Sequence, residues 1–229
     1  MASIAVLAST AASAYESGMS LLLHGYWRSG TSYRTRIALN LKGLDYDQLG
    51  VDLRAGEQRS DAFLTLNPQG MVPALEYDGV VLTQSPAILE WLEERWPEPP
   101  LLPKGADDRA RVRAMAAIIG CDVHPLNNLR VLKAIRALGA DEAGANAWAG
   151  RWISAGFDAL EAMIARHGDG WAYGAEPGLI ECYLIPQVYS ARRFAVDLSP
   201  WPLIGAIDRR AADHPAIATA HPDLQPDAG

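Results

Sequence analysis

Ser29, Gly30, Thr31 and Ser32 stand between an apolar run, residues 21–23, and a stretch in which Tyr33, Ile37, Ala38 and Leu41 recur at helical spacing. The spacing places several hydroxyls at the start of a helix. A helix N-terminus carries unpaired N–H groups and the positive end of the helix dipole, so it attracts anions. Hydroxyl donors beside it can seat a thiolate. They can equally be turn and cap residues, because Gly30 permits a sharp turn and any of the hydroxyls can cap. Gln84-Ser85-Pro86 repeats the pattern, with Ser85 as cap and Pro86 at the first helical position. Farther on, residues 124–130 (HPLNNLR) put a histidine, two asparagines and an arginine close together. A histidine before a proline can be structural or part of a site, and both readings stay open. Arg130 lies two positions after Asn128, so a helix need not show both on one face. Arg192 and Arg193 are either surface cations or carboxylate ligands, and the sequence does not choose between them.

The elements that must hold these residues follow from periodicity. Residues 21–23 read as a buried strand, 46–53 as a second strand, and 61–66 as a short helix capped by Asp61. Asp78-Gly79 between two apolar runs signals a hairpin. Pro73 inside one of those runs implies an edge position or a cis peptide. A helix with Ile88, Leu89, Leu92 and Trp96 on its apolar side closes this half. The order is strand–helix–strand–helix–strand–strand–helix, the thioredoxin-like arrangement. No Cys-x-x-Cys stands at the first helix, which argues against a thiol-redox role. Residues 96–104 (WPEPPLLPK) hold four prolines and read as a stiff linker. Beyond them only helical patterns remain. One long helix is expected to kink at Pro125, one to break at Pro186, and the stretch after His214 to be irregular.

The chain has 229 residues, 49% of them hydrophobic and 21% charged, as in an ordinary globular protein of one large or two small domains. Its net charge of −7 argues against nucleic acid as the main partner. Cys121 and Cys182 form neither a disulfide framework nor a metal-ligand spacing, which fits a reducing cytoplasm and no metal. No apolar run is long enough for a membrane span. Residues 1–19, rich in Ala and Ser, read as a disordered extension or the product of an upstream start, with Met19 as the natural start.

A thioredoxin-like half joined by a proline-rich linker to an all-helical half resembles the cytosolic glutathione transferases. The motifs narrow the resemblance to the zeta class, the maleylacetoacetate isomerases. That class carries Ser-Ser-Cys-Ser-x-Arg-x-Arg after the first strand, and this chain has Ser29-Gly30-Thr31-Ser32-Tyr33-Arg34-Thr35-Arg36. Residues 67–75 (NPQGMVPAL), 84–94 (QSPAILEWLEE), 124–128 and 186–200 are similar to it as well. The version at 27–32, WRSGTS, is most similar to the bacterial glutathione-dependent maleylpyruvate isomerases. The resemblance covers Leu21 to about Pro226.

It implies an α/β thioredoxin-like N-terminal domain (20–97), a linker (98–104) and an all-α substrate domain (105–229). It implies glutathione as cofactor, a small acidic substrate, a homodimer, and a place in aromatic amino acid catabolism. The family reaction converts a maleyl diketo-acid to its fumaryl isomer by reversible addition of glutathione thiolate. Ser29, Thr31 and Arg28 are then the catalytic candidates. Val72 pairs with the cysteinyl part, Gln84 and Ser85 hold the γ-glutamyl end, and Gln58 reaches the glycyl end. Ser29, Gly30, Thr31, His124 and Asn128 complete the glutathione set. Arg28, His124, Arg130 and Arg193 are the substrate set.

Two departures stand out. Ser29-Gly30-Thr31 replaces Ser-Ser-Cys, which excludes a mechanism needing that cysteine. Gly178 replaces the Ser/Thr cap of a central helix, which Glu181 can still reach. Ser29 is expected to be the thiolate donor and Thr31 the cap. The rival readings are a glutathione transferase or dehalogenase acting on small electrophiles, and a non-catalytic transferase-like binding module.

Overall fold

The structure, a computed structural model, describes residues 20–228. The expected extension at 1–19 lies outside the described residues. Strand β1 (Leu21–Gly25) turns into helix α1 (Gly30–Leu41), and β2 (Tyr46–Gly50) returns parallel to β1. A 3-10 turn (Glu57–Arg59) and α2 (Asp61–Leu66) follow. Then come β3 (Ala74–Tyr77), β4 (Val80–Thr83) and α3 (Ser85–Arg95). The four strands lie in the order β2-β1-β3-β4, with β3 antiparallel to both its neighbours. Asp78 and Gly79 make the hairpin turn with positive φ, as that turn requires. Pro73 precedes β3 rather than interrupting it, and the Val72–Pro73 peptide is cis, as is Glu98–Pro99.

The helical half holds α4 (Ala106–Ala117), a π turn (Ile118–Val123), a 3-10 turn (His124–Asn127) and α5 (Leu129–Ala137). It continues with α6 (Glu142–His167), α7 (Leu179–Arg193), α8 (Pro202–Asp213), α9 (Pro215–Ala218) and a 3-10 turn at Pro222–Leu224. Three expectations are corrected here. The bend near Pro125 is spread over the π and 3-10 turns, so α4 and α5 are separate helices. Helix α7 runs through Pro186 without a break. The stretch after His214 is ordered into α9 and a turn, and it packs back on α1.

Helix α1 also departs from a one-sided pattern. Residues 32–39 are all buried, Arg34 and Arg36 among them. Helices α3, α7 and α9 all pack on α1. Buried cations are tolerated only with hydrogen-bond partners, and each arginine has them. Lys42, which caps the end of α1, is likewise buried; its Nζ lies 2.5 Å from Glu93 Oε2 and 2.7 Å from the Trp96 carbonyl. Glu93 also accepts from the linker amides of Leu101 at 2.8 Å and Leu102 at 3.2 Å. One buried carboxylate thus clips α1, α3 and the linker together.

At the start of α7, Glu181 reaches back as expected, accepting from Gly178 N at 2.7 Å and from Ala172 N at 2.8 Å. Gly178 has a steric reason. A Cβ there would stand 2.7 Å from the Leu101 carbonyl oxygen, which itself accepts from Leu179 N.

Candidate active site

The turn from β1 into α1 is closed by Ser29 N donating to the Tyr26 carbonyl at 2.9 Å. Ser29 is the N-cap of α1, its Oγ accepting from Ser32 N at 3.3 Å. Thr31 Oγ1 donates to the Val72 carbonyl at 2.9 Å and lies 2.9 Å from Ser29 Oγ. Proton bookkeeping orients this chain. Thr31 has one hydroxyl proton, and the carbonyl takes it, so Ser29 is the donor to Thr31. The expected division of labour is therefore corrected. Ser29 is the cap, and Thr31 is the bridge to the loop before Pro73. Ser29 keeps a proton that can swing to a stronger acceptor, whereas the Thr31 proton is committed.

His124 sits on the other side of the same helix start. A Cβ at Gly30 would meet its Cε1 at 3.3 Å and Nδ1 at 3.6 Å, so glycine is what lets the ring lie on the backbone. Burial, and then the charge of Arg34, push the His124 pKa well below the usual imidazole value. The ring is neutral at physiological pH.

Arg34 lies beneath, fully buried. It stacks on Tyr183 with 3.7 Å from its guanidinium carbon to the ring centroid, and donates to Ser85 Oγ at 3.0 Å. No carboxylate pairs with it among the described residues, and its Nε has no partner. Desolvation, partly offset by Tyr183, lowers its pKa to about 10, so it stays cationic. Ser85 is the first residue of α3, one position later than expected for a cap. Gln84 occupies the cap position, with φ 67° and its side chain bonded to Gln69. A non-glycine residue there stores strain of the kind concentrated at ligand clamps. A buried cation under a helix start and a strained residue above it make an anion seat. Gln58 lies near the same loop, because a Cβ on Gly70 would touch its carbonyl oxygen, and its side-chain Oε1 is buried with no partner among the described residues.

Further cations lie in the helical half. Arg192 is spent on Asp208 of α8, through contacts of 2.5 and 3.2 Å. Arg193 has no ion pair among the described residues. Desolvation, followed by the charge of Arg28, lowers its pKa. Arg193 is exposed, and Arg28, from the opposite half, lies near enough for its charge to act on it. Arg28 lies over the Trp27 ring, 5.2 Å from its centroid. Asn128 caps α5 through Oδ1, accepting from Arg130 N at 3.1 Å, so its amide NH₂ is what remains for a ligand. Arg130 is exposed in the first turn of α5, where the helix dipole disfavours a cation. It has no ion pair among the described residues, and no contact joins it to Arg28 or Arg193. Sequence reasoning gave no role to Arg34 or Arg36; their place in the Ser-x-Arg-x-Arg motif was the available signal.

The sequence profile described as "Glutathione S-transferase, N-terminal domain" matches residues 28–95. The chain is 57% identical to a maleylpyruvate isomerase of a Ralstonia species, over 90% of this chain and 98% of that one. It is 52% identical to a maleylacetoacetate isomerase of Pseudomonas aeruginosa, over 90% of this chain and 97% of the relative. A holo structure of a maleylpyruvate isomerase, described as a bacterial zeta-class glutathione S-transferase, superposes with TM-score 0.89 at 56% identity, covering 91% of this chain and all of that one. An Anaeromyxobacter dehalogenans maleylacetoacetate isomerase with bound glutathione gives TM-score 0.84 at 44% identity, covering 93% and 99% of the two chains. With this likeness running the full length of its relatives, the chain belongs to the zeta class of glutathione transferases.

Proposed function

We propose that this chain is a glutathione-dependent isomerase that converts a maleyl diketo-acid, maleylpyruvate or maleylacetoacetate, to its fumaryl isomer. The observation that carries the reading is a pair of arginines, Arg28 and Arg193, that have no ion pairs among the described residues and lie within electrostatic reach of each other. That arrangement suits a dianion, because a planar guanidinium fork fits a carboxylate. The residues present also fit glutathione. Ser85 over buried Arg34 suits an anionic end, the Val72 carbonyl keeps a lone pair for an amide N–H, and Gln58 Oε1 awaits a donor. Bound glutathione supplies the thiolate that adds to the cis double bond, allows rotation, and leaves.

The chain's own part is electrostatic. Ser29 turns its proton from Thr31 toward the sulfur, exchanging a neutral hydrogen bond for a charge-assisted one. The N–H groups at the start of α1 lower the thiol pKa further. Arg28 and Arg193 hold the acid and stabilise negative charge as it develops on the dicarbonyl. His124, neutral, offers one N–H donor and no charge. Arg130, by family membership, is a further ligand for the acid. The same reading includes a homodimer, a cytoplasmic location and a role in aromatic catabolism, each supported by family membership.

An absorbance assay with both diketo-acids, with and without glutathione, tests the proposal. Conversion that requires glutathione and returns it unconsumed is expected. Stoichiometric loss of glutathione to a conjugate would make the chain a transferase instead.

A further inference from the structure

The turn 26–29 presents Arg28 and Ser29, yet its own bond from Ser29 N to the Tyr26 carbonyl leaves the Trp27 peptide groups to find partners elsewhere. Both find them in groups distant in sequence. Trp27 N donates to Asp227 Oδ2 at 2.8 Å, and the Trp27 carbonyl accepts from Arg36 Nη2 at 2.9 Å. Arg36 Nε also donates to the Ala220 carbonyl at 3.0 Å. Loop, helix and segment 214–228 thus close a ring of contacts. The segment is itself pinned. Buried Gln225 donates to the carbonyls of Thr219 at 3.1 Å and His221 at 2.7 Å, and accepts from Gln48 of β2 at 3.0 Å. Asn40 of α1 donates to the Ala216 carbonyl at 2.8 Å. Asp227 rests on Gly50, where a Cβ would come within 3.0 Å of the Asp227 Cβ.

We infer that Asp227 is a positioning residue for the active-site turn: by holding the Trp27 N–H it fixes the platform under Arg28 and the direction of Ser29. The physical need is clear. Arg28 and Ser29 can act on bound molecules only if the turn that carries them keeps one orientation. The Tyr26–Trp27 peptide, held at its C=O by Ser29 N and at its N–H by Asp227, cannot rotate freely, and Arg36 holds the C=O of the next peptide. A carboxylate is the stronger choice of acceptor for the N–H.

The kinetic part rests on the isomerase reading, but the grip itself is read independently of it. In the full chain, Asp227→Ala is expected to raise the Michaelis constant for the diketo-acid about tenfold and leave that for glutathione within a few-fold. It should also speed hydrogen exchange at the Trp27 amide about ten- to a hundredfold, the range set by loss of a charge-assisted hydrogen bond. Asp227→Asn, whose amide oxygen still accepts, should restore most of both. Gly50→Ala, which displaces Asp227 without removing it, should shift both in the Ala direction, and it carries the test if Asp227→Ala does not fold. Wild-type exchange at Trp27 in both Asp227→Ala and Gly50→Ala would overturn the proposal. So would a lowered melting temperature with an unchanged Michaelis constant, which would make the contact structural only. A wild-type protein with no isomerase activity would reject the functional reading, while Trp27 exchange would still judge the grip.

Discussion

The two sides of the cleft are prepared in opposite ways. On the glutathione side, Ser29, Thr31, Ser32 and Val72 already satisfy one another, and Ser85 already accepts from Arg34. On the acid side, Arg28, Arg130 and Arg193 have no ion pairs among the described residues, although Arg192, one position away, does. A neutral hydroxyl network can be stable by itself and exchange one bond when a thiolate arrives. A cluster of like charges cannot, and its electrostatic cost falls only when a dianion enters. The first side should therefore tolerate single changes better than the second.

The largest expected effect is on the acid side. Arg193→Met should cost ~2–5 kcal/mol, a fall of roughly 30- to several-thousand-fold in kcat/KM for the diketo-acid, with the glutathione constant nearly unchanged. Arg130→Met should move the same constant in the same direction but by less, because no electrostatic coupling ties Arg130 to the Arg28–Arg193 pair. Arg192→Met is the control. Its exposed pair with Asp208 contributes ~0–1 kcal/mol to stability, and steady-state kinetics should hold. If Arg192 and Arg193 exchange these behaviours, the division between spent and unspent cations is wrong.

Next comes the thiolate. Ser29→Ala removes a charge-assisted bond of ~1.5–3 kcal/mol but also frees the neutral bond of ~0.5–1.5 kcal/mol that Ser29 would have given up. The net effect is a rise of about one unit in the pKa of bound glutathione, readable by ultraviolet titration of the binary complex. The same variant should lose ~1 kcal/mol of stability as a lost helix cap. Thr31→Val should leave stability nearly unchanged and raise the thiol pKa less. A larger shift from Thr31→Val would make Thr31 the donor and break the proton order derived above.

The smallest effect concerns pH. The folded pKa of His124 is depressed, so below about 6.5 the unfolded chain binds the proton more readily than the native one. The His124 contribution is complete above that pH and is lost as pH falls. The stability gap between wild type and His124→Asn in urea titrations should shift against wild type by on the order of 1 kcal/mol between pH 7 and pH 5. A gap independent of pH would mean that the imidazole is not desolvated on Gly30.

What the sequence discloses tracks how local the interaction is. The hairpin at Asp78–Gly79, the cis bond at Pro73 and the reach of Glu181 to Gly178 all lie within a few residues. They could be read from spacing and residue type. The bend near Pro125 was visible but not its form, because the π turn packs at Gly120 against Tyr183 of α7 and through Val123 against Gly156 of α6, both distant in sequence. Pro186 looked like a break, but α7 continues through it, buried by its neighbours. For the site, the positions were legible by motif while the roles were not. Ser29 takes the cap expected of Thr31, because Thr31 meets Val72, forty-one residues away in sequence. Arg192 and Arg193 were indistinguishable until Asp208 appeared on α8. Arg34 reaches Ser85 across 51 residues and Arg36 reaches Ala220 across 184, separations that no local pattern reports.

The contact between Trp27 and Asp227 spans 200 positions. During synthesis at ~5–20 residues per second, the turn that carries Arg28 and Ser29 leaves the ribosome roughly 10–40 s before its carboxylate partner exists. The sheet and α1 can assemble in that interval, because β1, β2, β3 and β4 are all encoded in the first part of the chain. The turn itself waits. A nascent chain can thus own a folded sheet and a complete helix start while Trp27 still hydrogen-bonds to water, and it acquires a fixed active-site turn only as the last stretch of sequence docks against Gly50.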